Sequence, residues 1–193
     1  MTSEACAAAA SDGEVTVRAM RREDVPVVHR MIHELAAFEG MPEGPKLSVK
    51  DLIEDGFSSS PSWFFGLVAE VGGEVAGYAL CSRAYSSWTR RAFYVEDLYV
   101  RRERRGAGVG RRLLRELCEM ALASGVHRID WHVMSSNAGA LRFYARLGAR
   151  DLAASEGRAA LRLDRARIEA VARGELLPLL PSAAPDRPDH NHD

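Results

Sequence analysis

The chain has 193 residues, 47% of them hydrophobic and 27% charged, with a formal net charge of -1. That is enough for one domain with a sizeable core and no covalent staples. The balanced charge gives no global field for nucleic acid or an acidic membrane surface. No apolar run approaches the roughly 18 residues of a spanning helix. The opening MTSEACAAAASDGE lacks the basic start and long apolar stretch of a signal peptide, so residues 1–13 read as a disordered lead. Cys6, Cys81 and Cys118 are odd in number and lack metal or redox spacing. No disulfide framework and no metal are expected, and a reducing cytoplasm is the expected setting.

In chain order, residues 15–19 alternate like a first strand. A helix follows, with Val28, Met31, Ile32 and Leu35 on one face, Asp24 as its expected N-cap and Gly40 as its C-cap. Ser48, with Asp51 three residues on, predicts a short capped helix over 48–56. From Trp63 the pattern turns β: strands over 64–71 and 74–85 joined at Gly72-Gly73, then a strand over 92–100. A helix begins near Val109, Gly125 stops it, and residues 128–133 alternate as another strand. Asn137 caps a helix carrying Ala140, Leu141, Tyr144 and Leu147, which Gly148 ends. Two short closing strands are predicted over 150–153 and 158–163. The order β-α-α-β-β-β-α-β-α-β-β is an α/β (α+β) arrangement with a mixed sheet flanked by helices. The folded domain is expected over 14–172. Residues 173–193 hold four of the eight prolines and read as a disordered tail.

One stretch concentrates the chemistry. The strand ending in Glu96, Asp97, Leu98, Tyr99 and Val100 runs into Arg101, Arg102, Arg104 and Arg105, then Gly106, Ala107, Gly108, Val109, Gly110 and Arg111. A strand, a glycine turn and a helix N-terminus suit an anion: glycine admits positive φ, and the first turn of a helix presents orphan N–H groups and a positive dipole end. The spacing is neither a Walker loop nor G-x-G-x-x-G.

Arg105, Gly108 and Gly110 match, in order, the R-x-x-G-x-G acyl-CoA signature of the GNAT acetyltransferases. The folded part resembles that superfamily, and within it the spermidine/spermine (diamine) and thialysine N-ε-acetyltransferases. The resemblance rests on IHELAAFEG (32–40), KDLIEDGF (50–57), LVAEV (67–71), YSSW (85–88), YVEDLYV (94–100), RRGAGVG (104–110), FYARLGARDL (143–152) and SEG (155–157). Phe38 before Glu39, and Ser86-Ser87 before Trp88, are closer to the thialysine branch. The polyamine enzymes carry Tyr before the glutamate and Asp before the tryptophan.

The resemblance implies acetyl transfer from acetyl-CoA to an amine, with Glu96 as base and Tyr144 as the acid that protonates the departing thiolate. It places the pantetheine along Leu98, Tyr99 and Val100, the pyrophosphate over residues 106–111 with Arg105 flanking the turn, and Asn137 and Ala140 along the coenzyme's other side. It surrounds the amine with Phe38, Glu39, Trp88, Glu96 and Glu156, and with Trp131, His132 and Val133. Ser86 in place of an acid, and Arg158 where both branches carry Trp, depart from the pattern. Arg158 could pair with Glu156 or receive a substrate carboxylate. Strand alternation turns Asp97 away from Glu96 unless a bulge intervenes. A homodimer is also implied, with no nucleic acid and no membrane partner. Two other readings stand beside this one: a CoA-binding sensor without activity, and a nucleic-acid module built on the arginines of residues 101–115.

Overall fold

Five strands form one sheet in sequence order: β1 (Val15–Ala19), β2 (Phe65–Val71), β3 (Glu74–Ser86), β4 (Arg90–Val100) and β5 (Arg128–Trp131). The computed structural model describes residues 13–175; the expected lead, but for its last residue, and all but the first three residues of the expected tail lie outside them. β1 to β4 are antiparallel, and β5 joins β4 in parallel. The β2–β3 turn places Gly72 and Gly73 at φ 61° and 82°, the double positive φ of a type I′ hairpin turn. Gly77 on β3 is needed for a close approach: a Cβ there would stand 2.8 Å from the Tyr99 carbonyl oxygen on β4.

The described residues group into two compact units, dividing after Leu141. In the first, helix α1 (Val25–Phe38) and helix α2 (Val49–Ile53) cover one face of the sheet. Val25, Val28, Met31, Ile32 and Leu52 pack there with Val68, Tyr78 and Tyr99. The other face takes helix α3 (Val109–Ala123), whose Val109, Leu113 and Leu117 are fully buried. Each such side chain contributes about 1.5–3 kcal/mol by leaving water.

Local signals explain the ends of these helices. After α1, Gly40 N–H donates to the Ala37 carbonyl and Met41 N–H to that of Ala36, the paired bonds of a glycine-closed C-terminus. At α2, Ser48 Oγ accepts from Asp51 N–H while the Asp51 carboxylate accepts from Ser48 N–H, 2.7 Å away. The helix then loosens into a π turn over Glu54–Ser58, so it is shorter than expected. Asp24 is not the side-chain cap of α1. Its carboxylate accepts from Arg21 N–H at 2.7 Å, within the preceding 3-10 turn, and from Arg18 at 2.7 and 2.9 Å. Arg18 also reaches Glu70 at 2.6 Å, so one guanidinium ties β1, β2 and the entry to α1.

The second unit corrects the expected order. It takes the C-terminal part of helix α4 (Ala138–Ala145), helix α5 (Leu152–Glu156) and helix α6 (Arg165–Ala172). Neither closing strand forms. Asp151 Oδ1 accepts from Ala153 and Ala154 N–H, nucleating a helical turn that Gly157 closes at φ 65°. Residues 158–163 have no strand partner among the described residues and are exposed throughout.

Candidate active site

β4 is paired with β3 along its length but with β5 only from Ala92↔Arg128 to Val95↔Trp131. Beyond that point β4 runs on through Glu96, Asp97, Leu98, Tyr99 and Val100 with no β5 partner. The expected strand over 128–133 therefore stops at Trp131, and His132 and Val133 lie outside it. At the same place the β3–β4 register slips: Leu80 faces Asp97, and Cys81 faces Val95. Glu96 is the extra residue of a β-bulge. The slip puts Asp97 on the face shared by Tyr94, Tyr78 and Tyr99.

The open length of β4 leads into the glycine turn. Gly106 and Gly108 hold φ 85° and 82°, Gly108 is the N-cap of α3, and a Cβ at either would meet nothing within 4 Å. Backbone conformation, not crowding, demands these glycines, and the space beside them is open. Fifteen residues of α3 put a positive dipole end there. These features fit a phosphate-bearing ligand. Gly110 and Arg111 stand in the first turn, with Arg111 exposed.

Arg105 is engaged at the end of β4. Its Nε donates to the Val100 carbonyl at 3.0 Å, and its guanidinium lies 4.5 Å from the Phe38 ring centre and 5.5 Å from that of Tyr99. It thereby joins the end of α1 to the end of β4, and the Tyr99 hydroxyl donates to Glu34 at 3.1 Å.

Carboxylates gather beside this junction. Asp97 accepts a 2.8 Å hydrogen bond from the Tyr78 hydroxyl. Burial pushes the Asp97 carboxyl up to about 6, the Tyr78 bond opposes that, and the charges of Glu96 and Glu39 add to it. The charges of Glu39 and Glu96 thus both reach Asp97. Glu96 is exposed. Burial and the Asp97 charge hold the Tyr78 phenol well above the ordinary range.

Across the fork, Tyr94 Oη lies 2.5 Å from His132 Nδ1. Asn137 Oδ1 accepts from Ala140 N–H at 3.0 Å and opens α4 as expected. Trp88 sits in the β3–β4 turn, where buried Ser86 accepts from Trp88 and Thr89 N–H and from Arg128. Arg90, at the near end of β4, is six residues from Glu96, roughly 20 Å along a strand.

In the second unit, Tyr144 stands on α4, where burial pushes its phenol up to about 12. Glu156 is held by Arg158 at 2.7 Å and approached by Arg150 at 3.7 Å. Of the two expectations for Arg158, pairing with Glu156 is observed.

Tyr78 and the Tyr94–His132 bond were not anticipated, whereas Asp97 was expected to turn away from Glu96 unless a bulge intervened, and a bulge lies there. A cavity of about 630 Å³, lined by residues 59–65 and Arg83, contains none of the expected site residues. Among the described residues no cluster of three His, Cys, Asp or Glu could hold a metal, and no helix is long and apolar enough to cross a membrane.

A mixed sheet whose last two strands, β4 and β5, part beside a glycine-capped helix N-terminus is consistent with an acyl-CoA-dependent N-acyltransferase. The acetyltransferase (GNAT) family model matches residues 29–149, and the chain belongs to that family. It is 39% identical over 149 residues to the thialysine N-ε-acetyltransferase of Mus musculus, covering 73% of this chain and 87% of that protein. It is 33% identical over 148 residues to human spermidine/spermine N(1)-acetyltransferase-like protein 1, covering 73% of this chain and 21% of that one. Among solved structures, an integron cassette protein of V. cholerae superposes with a TM-score of 0.66 at 22% identity, covering 82% of this chain and 98% of the other, a likeness of fold. The chain is a GNAT acetyltransferase, and such enzymes use acetyl-CoA.

Proposed function

We propose that this enzyme transfers the acetyl group of acetyl-CoA to the primary amine of a small cationic substrate, a lysine-like amino acid such as thialysine ahead of a di- or polyamine. The observation that carries this reading is the junction of an open β4 edge, a glycine turn and a buried carboxylate, Asp97, on which the charges of Glu39 and Glu96 both act. An extended backbone rail suits pantetheine, a helix N-terminus suits pyrophosphate, and clustered negative charge is relieved by an ammonium group.

The backbone of Leu98, Tyr99 and Val100 would pair with the pantetheine. Residues 106–111 would hold the phosphates, with Asn137 and Ala140 along the coenzyme's flank and Arg105 bracing the turn. Phe38, Glu39, Trp131, His132 and Val133 would line the amine's approach, with Trp88 and Glu156 as further amine contacts. Glu96 would take the proton that an aliphatic ammonium, pKa near 10.4, must lose before it attacks. Tyr144 would give its proton to sulfur as the C–S bond breaks. A phenol pushed up to about 12 keeps that proton throughout the neutral range.

The resemblance to thialysine acetyltransferases, and the engagement of Glu156 by arginines, favour one ammonium group over the several of a polyamine. A cytoplasmic homodimer fits this reading; sedimentation at micromolar concentration tests the dimer. The test of the chemistry is free-thiol release from acetyl-CoA with wild type, Glu96→Gln and Tyr144→Phe. Each variant should lose about 100-fold in kcat with little change in the KM for acetyl-CoA. Full turnover by both would contradict the assigned roles, and acetyl-CoA binding without thiol release on any amine would favour the sensor reading.

A further inference from the structure

Acetylating an ammonium substrate removes two protons from one nitrogen: the first frees the lone pair, and the second leaves once the nitrogen has bonded to the acetyl carbon. The sulfur takes up one proton, so one net proton must reach solvent in each turnover. Glu96 accounts for a single acceptor.

Tyr94 and His132 meet where the site opens. Tyr94 immediately precedes Val95, the last β4 residue paired with β5, and stands two residues before Glu96. His132 immediately follows Trp131, the partner of Val95. Their side chains are joined Oη to Nδ1 at 2.5 Å, with ring centres 5.7 Å apart. Registers Tyr94↔Ser82 and Leu80↔Asp97 put Tyr94 and Asp97 on the same face of the sheet. The tyrosine is half-buried and the imidazole exposed. The neighbouring carboxylate, Asp130, is already bound by Arg128 at 2.7 Å.

We propose that Tyr94 and His132 form a second proton acceptor at the strand fork, with His132 acting as a positioning residue through Tyr94. The inference rests on the acetyl-transfer reading above. The step balances: the nitrogen gives its second proton to the Tyr94 oxygen while the Tyr94 hydroxyl proton passes to His132 Nδ1. The N–H electron pair stays on nitrogen, and no electron is transferred elsewhere. The resulting imidazolium, exposed to water, returns the proton to solvent. An imidazole can accept from the phenol when neutral and donate to it when protonated, so the same bond serves both halves of the relay.

The experiment compares His132→Ala, His132→Asn and Tyr94→Phe in thiol-release kinetics with thialysine and acetyl-CoA, with and without added imidazole. Asparagine can still accept the Tyr94 hydroxyl through its amide oxygen but cannot take up a proton, so it separates relay from packing and stands in should the alanine variant fail to fold. All three variants should lose at least about 10-fold in kcat, with the KM for acetyl-CoA within about twofold of wild type. Imidazole should restore much of the rate to His132→Ala and none to Tyr94→Phe. Wild-type turnover by His132→Asn, or a folded His132→Ala indifferent to imidazole, would overturn the proposal. Either result would leave the acetyl-transfer reading intact, because that reading is tested on the wild type itself, by thiol release and acetylation of the amine.

Discussion

Asp97 carries the clearest physical signature of any single residue near the candidate site. Its folded-state value of about 6 stands above the 3.8 of an unburied aspartate, so the folded chain binds its proton more tightly than the unfolded chain does. That favourable contribution is present below pH 3.8 and is lost as pH rises to about 6, leaving a burial cost of up to about 3 kcal/mol at neutral pH. Asp97→Asn keeps an acceptor for the Tyr78 hydroxyl and removes the charge. Its melting temperature should exceed wild type at pH 7.5 by a few degrees, and the gain should vanish near pH 4; an equal gain at both pH values would contradict the burial account. Arg158 offers a second test at this scale. Since it holds Glu156 at 2.7 Å, Arg158→Trp should release that carboxylate and raise spermidine turnover several-fold relative to thialysine. An unchanged ratio would reject a role in specificity. The adjacent pair Glu96 and Asp97 was visible in the sequence, but which of them faces the core was not. A bulge fixes that, and a bulge is decided by how β3 and β4 pair, which local alternation does not encode.

Elements explain both what could be read in advance and what could not. Residues with their own local chemistry were legible: Gly40 closing α1, Ser48 and Asp51 opening α2, Gly72-Gly73 turning the hairpin and Asn137 capping α4. The closing strands failed for the same reason. Asp151 carries a strong local signal for a helical turn, whereas the alternation over 158–163 needed a strand partner to matter. Gly108 tests the glycine turn directly. At φ 82° an alanine is strained by about 1 kcal/mol although the space around it is open. Gly108→Ala should therefore lower stability by about that amount and raise the KM for acetyl-CoA several-fold, leaving kcat at saturation nearly unchanged. An unaltered KM would mean that the turn does not cradle the coenzyme.

For the molecule as a whole, the five-strand sheet and the glycine turn follow from short contiguous stretches, while the residues expected around an amine do not. Phe38, Trp88, Trp131 and Glu156 come from separate elements. Whether each meets the substrate depends on placements that no single stretch of sequence specifies. Trp88 lies in the β3–β4 turn, and Arg90, two residues on, is roughly 20 Å along β4 from Glu96. The most direct measurement is mass spectrometry of the products formed when the purified protein is given acetyl-CoA with thialysine or spermidine at equal concentration. The account predicts one acetyl group on the side-chain amine of thialysine for each CoA released, at a rate several-fold above that on spermidine. CoA release without any acetylated amine, or acetylation of spermidine alone, would contradict it.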